Sequence, residues 1–198
     1  VADRILFLRE GSISVTAEGC SANVEAPAGV VLRGSGHRVV NSGSGLVRMI
    51  DLMVQPEPGS DAALRSSASI AVRPISSDAF LAYKSHRGQG DAFDVQVLGD
   101  RETGSPHARF FAAVVKPDSG MKRHVHRVDQ VYLVLDGTFH IEIGEQTLEA
   151  RPKSLVFLPA GLVHRNWNEG PDPVTQITML LPQPPDGEKI SFPVDILV

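Results

Sequence analysis

The sequence predicts an all-β chain folded as a sandwich or barrel. Three observations point there: helical periodicity is nearly absent, apolar runs recur at strand length, and Gly, Pro, Asn and Asp punctuate them. The runs lie at 5–8 (ILFL), 13–15 (ISV), 46–54 (LVRMIDLMV), 109–115 (RFFAAVV), 131–135 (VYLVL), 139–143 (FHIEI), 155–158 (LVFL) and 174–181 (VTQITMLL). Several alternate in character. Phe139, Ile141 and Ile143 face one way and Thr138, His140 and Glu142 the other, the mark of a half-buried strand. The one helix expected is short, over 76–83 (SSDAFLAY), with Ser76 or Ser77 as its cap. Residues 55–69, rich in Pro, Ser and Ala, read as a linker.

At 198 residues and 42% apolar content the chain can bury one large core or two small ones. A net charge of -4 argues against a general nucleic-acid binder, which needs a basic face. No apolar run approaches the roughly 18–20 residues that cross a bilayer, and the first residues carry no signal-peptide pattern. The single cysteine, Cys20, has no partner for an internal disulfide and no histidine near it in sequence. The expectation is a cytoplasmic protein whose fold does not depend on oxidation.

The chain also repeats itself. Residues 1–15 (VADRILFLREGSISV) align with 127–141 (RVDQVYLVLDGTFHI) at an offset of 126, pairing Asp3 with Asp129, Arg4 with Gln130 and Gly11 with Gly137. Residues 34–41 (GSGHRVVN) align with 161–168 (GLVHRNWN) at an offset of 127, with Gly34, His37, Arg38 and Asn41 meeting Gly161, His164, Arg165 and Asn168. Two matches in the same order favour duplication. The counterpart of His124-Val125-His126 would fall before Val1, so the first copy begins partway through the repeat.

The chemistry concentrates in Arg123–Gln130, RHVHRVDQ. Residues i and i+2 of a strand share a face, so His124 and His126 can converge on one ion. His164 follows the turn LPAGLVH, where Pro159 and Gly161 bring a distant strand end back to the same place. Three imidazole nitrogens and one further oxygen donor suit a divalent transition metal with positions left open for water or substrate.

These pieces together resemble the cupin superfamily, whose two motifs read G(X)5HXH(X)3-4E(X)6G and G(X)5PXG(X)2H(X)3N. His124, His126 and Gly137 fall in register with the first, and Pro159, Gly161, His164 and Asn168 with the second, over roughly residues 105–181. The resemblance implies a double-stranded β-helix, the cupin or jelly-roll barrel. With the repeat it implies two tandem barrels: a partial, degenerate copy without a metal site over 1–72, and a complete barrel with the site over 73–198. Three positions depart from the motifs. Asp118 and Lys153 stand where each motif opens on Gly, and Gln130 stands where the metal-binding Glu is expected. The implied ligand set is His124, His126, Gln130 and His164, around one Fe, Ni, Mn or Zn ion. Glutamine supplies a neutral carbonyl oxygen in place of a carboxylate, so the ion keeps its double charge and its pull on anionic ligands.

Other candidates carry less. Asp129 faces away from Gln130 and would need a bulge to reach the ion. In the first copy Arg4 stands where Gln130 does, and a cation is no ligand; His37 reads as structural. Tyr132, two residues after Gln130, shares its inward face and serves either as wall or as substrate contact. Phe111 and Trp167 read as wall or core aromatics, His140 as solvated, His107 and His86 as loop residues, and Arg109 as a surface arginine within possible reach of a substrate carboxylate.

The resemblance implies a metal-dependent, dioxygenase-like enzyme on a small acidic substrate such as an enol, phenol or diketone, with Gln130 and Tyr132 as its catalytic candidates. Two alternatives stand beside it: a redox-free cyclase, isomerase or lyase, and a non-catalytic sugar-binding barrel. A homodimer is expected, with no nucleic-acid or membrane partner. Gln130→Glu is expected to tighten metal binding and weaken binding of an anionic ligand. Equilibrium dialysis with and without the anion reads both, and no change in either means Gln130 does not touch the ion.

Overall fold

The computed structural model describes residues 2–55, 68–83, 93–105 and 107–194. Among them every regular element is a strand, apart from one 3-10 turn at Ser77–Ala79. The chain forms two compact units, Val1–Ala79 with Val97–Phe110, and Phe80–Gln96 with Phe111–Val198. Residues 97–110 were expected with the second barrel and pack in the first unit. The reason is close packing at Gly29, where a Cβ would sit 2.8 Å from Leu98 Cβ and 3.1 Å from the Phe110 ring.

The first unit contains β1 (Asp3–Glu10), β2 (Ser12–Ala17), β3 (Cys20–Glu25), β4 (Ala28–Leu32), β5 (Arg38–Asn41), β6 (Arg48–Val54) and β7 (Ile70–Pro74). They form two antiparallel sheets, ordered β6-β1-β4-β7 and β3-β2-β5. Period two decides what is buried: Ile13, Val15 and Ala17 of β2 point inward while Ser12, Ser14 and Thr16 do not. Leu6, Leu8, Val30 and Leu32 from one sheet close on Ile13, Val15 and Val24 from the other. Beside this apolar cluster the unit buries one polar pair, Asp3 and Ser105.

The second unit is built from β8 (Leu81–Ala82), the first part of β9 (Phe93–Gly99), the last part of β10 (Arg109–Val115), β11 (Ser119–Val125), β12 (Asp129–Asp136), β13 (Phe139–Ile143), β14 (Gln146–Ala150), β15 (Leu155–Leu158), β16 (His164–Asn168), β17 (Val174–Leu181) and β18 (Phe192–Pro193). The sheets run β15-β12-β17-β10-β9-β8 and β14-β13-β16-β11-β18. Val134, Val115 and Val174 from the first meet Phe139, Ile141 and Ala150 from the second. The result is a jelly-roll barrel with its apolar core toward one end.

The repeat is visible strand by strand. The neighbours β4-β1-β6 recur as β15-β12-β17, and β3-β2-β5 as β14-β13-β16. Asp3–Glu10 and Asp129–Asp136 keep the offset of 126 at both ends. The paired glycines keep their conformation as well: φ is 86° at Gly11 and 79° at Gly137, 83° at Gly34 and 81° at Gly161. Two differences matter. No described strand of the first unit takes the place of β11, which carries His124. And β4 has β7 on its far side, whereas β15 has no described neighbour there.

The helix expected over 76–83 does not form. Only Ser77–Ala79 turns, through a bond from the Ala79 N–H to the Ser76 carbonyl, and none of its residues is buried. So short a stretch lacks the length to hold a helix without an apolar face to dock. Instead Leu81 and Ala82 pair with Val95 and Asp94. The expected linker falls mostly, and His86 wholly, outside the described residues.

The two missing motif glycines have left their backbone behind. Asp118 has φ 52° and Lys153 φ 78°, both in the left-handed region that glycine adopts without strain. Asp tolerates that region through its short polar side chain; Lys has no such relief. Lys153→Gly is therefore expected to stabilise the protein by about 0.5–1 kcal/mol, after glycine's extra unfolded-state entropy is subtracted. Asp118→Gly should do less. Urea denaturation midpoints measure both.

Candidate metal centre

The centre lies in the second unit, at β11, β12 and β16. His124 closes on His164 because β11 and β16 pair them directly, after an irregularity between Met121 and His124. Gly120 makes that strand contact possible: a Cβ there would stand 2.3 Å from the Asn166 carbonyl oxygen. His126 follows β11, and Gln130 is the second residue of β12. All four are buried.

Each histidine is held the same way. Nδ1 of His124 bonds the Lys122 carbonyl at 2.7 Å, Nδ1 of His126 the Ile190 carbonyl at 2.8 Å, and Nδ1 of His164 the Leu162 carbonyl at 3.0 Å. A carbonyl only accepts, so each Nδ1 carries the proton and each Nε2 presents a lone pair. The three ligand nitrogens lie within 4.8 Å of one another. The Nε2 atoms of His124 and His126 are 3.1 Å apart, and that of His164 is buried with no hydrogen-bond partner. Lone pairs aimed at one another inside a barrel repel, and a cation between them removes the conflict. The donors fit a divalent transition-metal ion for that reason.

Electrostatics keep the rings ready to bind. Burial, then the charge of His164, pushes His124 down to about 3. Burial pushes His126 down to about 4 against the Ile190 bond, and burial lowers His164. All three are neutral at pH 7, the form a metal requires.

Beneath them runs a short polar chain. The Tyr132 hydroxyl donates to Gln130 Oε1 at 2.9 Å, and Asn166 Nδ2 donates to the Tyr132 oxygen at 2.9 Å. Tyr132 is 3% exposed, packs edge-on against Phe139 and is held protonated by burial. Asp129 points elsewhere, accepting from the Ala160 N–H at 2.8 Å, so it anchors the Pro159–Leu162 turn that delivers His164.

The remaining candidates scatter. His140 is covered rather than solvated, stacked on Trp167 at 5.5 Å, and Trp167 lies on this outer face under Arg165 instead of in the core. Phe111 packs against the second unit's core. In the first unit His107 lies beside buried Asp3, and His37 bonds the Arg33 carbonyl through Nε2. Arg4, the counterpart of Gln130, forms a two-pronged pair with Asp51. Arg109 has a buried Nε without a hydrogen-bond partner. Cys20 is a free, exposed thiol.

A small antiparallel barrel that gathers three buried, neutral imidazoles at one end belongs to the class of β-barrel proteins with a potential metal site. Residues 111–179, which carry His124, His126, Gln130 and His164, match the family model of the cupin domain. The fold extends over most of the chain. AerE from Microcystis aeruginosa superposes with a TM-score of 0.70 at 13% identity, covering 92% of this chain and 78% of its own. A glyoxylate-induced protein of Pseudomonas aeruginosa gives 0.72 at 15% identity, covering 90% and 65%. The oxalate decarboxylase of Lactobacillus farciminis, solved with formate, gives 0.69 at 9% identity, covering 98% and 73%. At such identities the likeness is one of fold. No curated protein sequence matches the chain.

Sequence reasoning missed Asn166, the Ile190 carbonyl and Glu142. Asn166 was within reach, two residues after His164 on the same strand face. Glu142 sits on the outer face, where Arg123 Nε reaches Oε1 at 2.6 Å and Arg165 Nε reaches Oε2 at 2.8 Å. One carboxylate thus ties β11, β13 and β16 together behind the histidines. Burial raises its pKa, but the bonds and charges of Arg123 and Arg165 outweigh that and lower it. A carboxyl with a depressed folded pKa stabilises above its unfolded value and loses the effect as pH falls through the folded one. Glu142→Gln is expected to lower the urea midpoint at pH 7. The gap from wild type should close as pH falls through 4.5 and below.

Proposed function

We propose that the second unit holds one divalent transition-metal ion on His124, His126 and His164, with Gln130 as a fourth protein donor. In this reading the protein is a metal-dependent, dioxygenase-like enzyme acting on a small acidic substrate of the enol, phenol or diketone kind. The observation that carries it is the convergence of three buried Nε2 lone pairs, each ring fixed by a carbonyl behind it and one nitrogen left without any partner.

Such an ion, when bound, supplies Lewis-acid or redox chemistry at its open coordination positions. The chain's own residues do the rest. The carbonyls of Lys122, Leu162 and Ile190 orient the rings and raise their donor strength. Gln130 brings an oxygen without charge, so an anionic substrate oxygen meets undiminished positive charge. Tyr132 and Phe139 close the barrel below and keep water from that side. The neutral donor set equally favours a redox-free reading, in which a carbonyl is polarised for cyclisation, isomerisation or elimination.

The first unit is read as the degenerate copy, over 1–72, without a metal site. Arg4 is engaged by Asp51, and the Nε2 of His37 is spent on a backbone carbonyl. We place the protein in the cytoplasm, where the free thiol of Cys20 stays reduced. A homodimer through the open edge of β15 would cover Leu155 and Phe157, now 59% and 54% exposed.

Protein purified without added metal is expected to carry roughly one equivalent of metal per chain and to take up oxygen with a panel of enols and catechols. Less than about a tenth of that loading, with no gain on adding Fe, Ni, Mn or Zn, overturns the metal reading. Firmly bound zinc without oxygen uptake moves the reading to redox-free chemistry.

A further inference from the structure

We infer that Tyr132 and Asn166 form a hydrogen-bond relay that turns the carbonyl end of Gln130 toward the three-histidine centre, which makes both of them positioning residues for the fourth metal ligand. The inference rests on the metal reading above and concerns a question that reading leaves open. The two ends of a carboxamide are nearly the same in shape and opposite in chemistry: the oxygen can ligate a cation, and the NH2 cannot. Packing does not tell them apart, so hydrogen-bond partners must.

The partners are on both sides of the Tyr132 hydroxyl. Asn166 Nδ2 donates to its oxygen at 2.9 Å, which leaves the O–H to donate to Gln130 Oε1, also at 2.9 Å. A carbonyl oxygen has two acceptor directions. Tyr132 takes one, and the second is the direction the relay leaves for a cation at the centre. The relay could run the other way. With the Asn166 amide reversed, its oxygen would accept from Tyr132, the Tyr132 oxygen would accept from the Gln130 NH2, and that NH2 would face the lone pair of His126. Asn166 thus sets the polarity of the whole chain. It is 1% exposed, its Oδ1 is buried without a hydrogen-bond partner, and its Nδ2 bonds Tyr132.

A relay that works by orientation matters only while the ligand has two unlike ends. That gives a double-mutant test with Zn(II) as the probe, its affinity read by chelator competition on the full chain. Tyr132→Phe keeps the ring against Phe139 and removes only the hydroxyl. It is expected to weaken zinc binding about tenfold to a hundredfold. Asn166→Val, which installs the residue that the first copy carries at Val39, should weaken binding in the same direction and serves if Tyr132→Phe does not fold. In a Gln130→Glu background, where both ligand ends are oxygen, either change should alter zinc affinity by less than about threefold. Unchanged affinity in the single variants overturns the relay. So does a loss of equal size in the Gln130→Glu background, since that is what a general structural role would give. Wild-type protein that binds no zinc, iron, nickel or manganese overturns the metal reading itself, and that result is read before any variant is compared.

Discussion

Three imidazoles share one small volume with their lone pairs turned inward, and the second unit is arranged around that constraint. Left alone the arrangement is unfavourable: neutral nitrogens 3.1 Å apart point at one another away from water. Backbone carbonyls hold it in place. Lys122 and Leu162 each lie two residues before the histidine they bind, so the strand geometry that aims the ring also supplies its acceptor. Glu142 then ties the three strands from outside. The Gln130–Tyr132–Asn166 chain links the centre to the apolar core, with Tyr132 belonging to both.

Much of this was legible in the sequence, for identifiable reasons. Strands β10, β13, β15 and β17 coincide with apolar runs bounded by turn residues. The three histidines could be assembled from spacing alone: i and i+2 share a face, and Pro159 with Gly161 returns the chain. What escaped reading was whatever depends on a distant partner. Strand β4 is buried along its whole length, so it does not alternate, and β3 buries only Val24. The short stretch 76–83 has helix-like composition but is drawn into pairing with β9, a tertiary contact no local pattern announces. Residues 97–110 read as part of the second barrel because nothing in them records their packing at Gly29.

The comparison between the two copies separates backbone from chemistry. Strand neighbours and left-handed glycines persist at matching positions, while the side chains at the centre do not. Gln130 faces Arg4 across the repeat, Tyr132 faces Leu6, and Asn166 faces Val39. Within one copy the same logic holds at Asp118 and Lys153, where the turn has survived the loss of the residue type that makes it easy. Conformation is the slower-changing property here because every strand pair depends on it, whereas the contents of a barrel end touch only one another.

The contact between His126 and the Ile190 carbonyl spans 64 residues. It makes the centre a product of long-range closure. His124 and His126 are neighbours from the start, but the ring of His126 is not aimed until β12 to β17 have formed and the segment after them has folded back beside β11. Loop closure over such separations is slow relative to local pairing. The site is therefore among the last features to be completed as the chain folds, and any ion it takes is captured by a barrel already built rather than serving as the nucleus around which one forms.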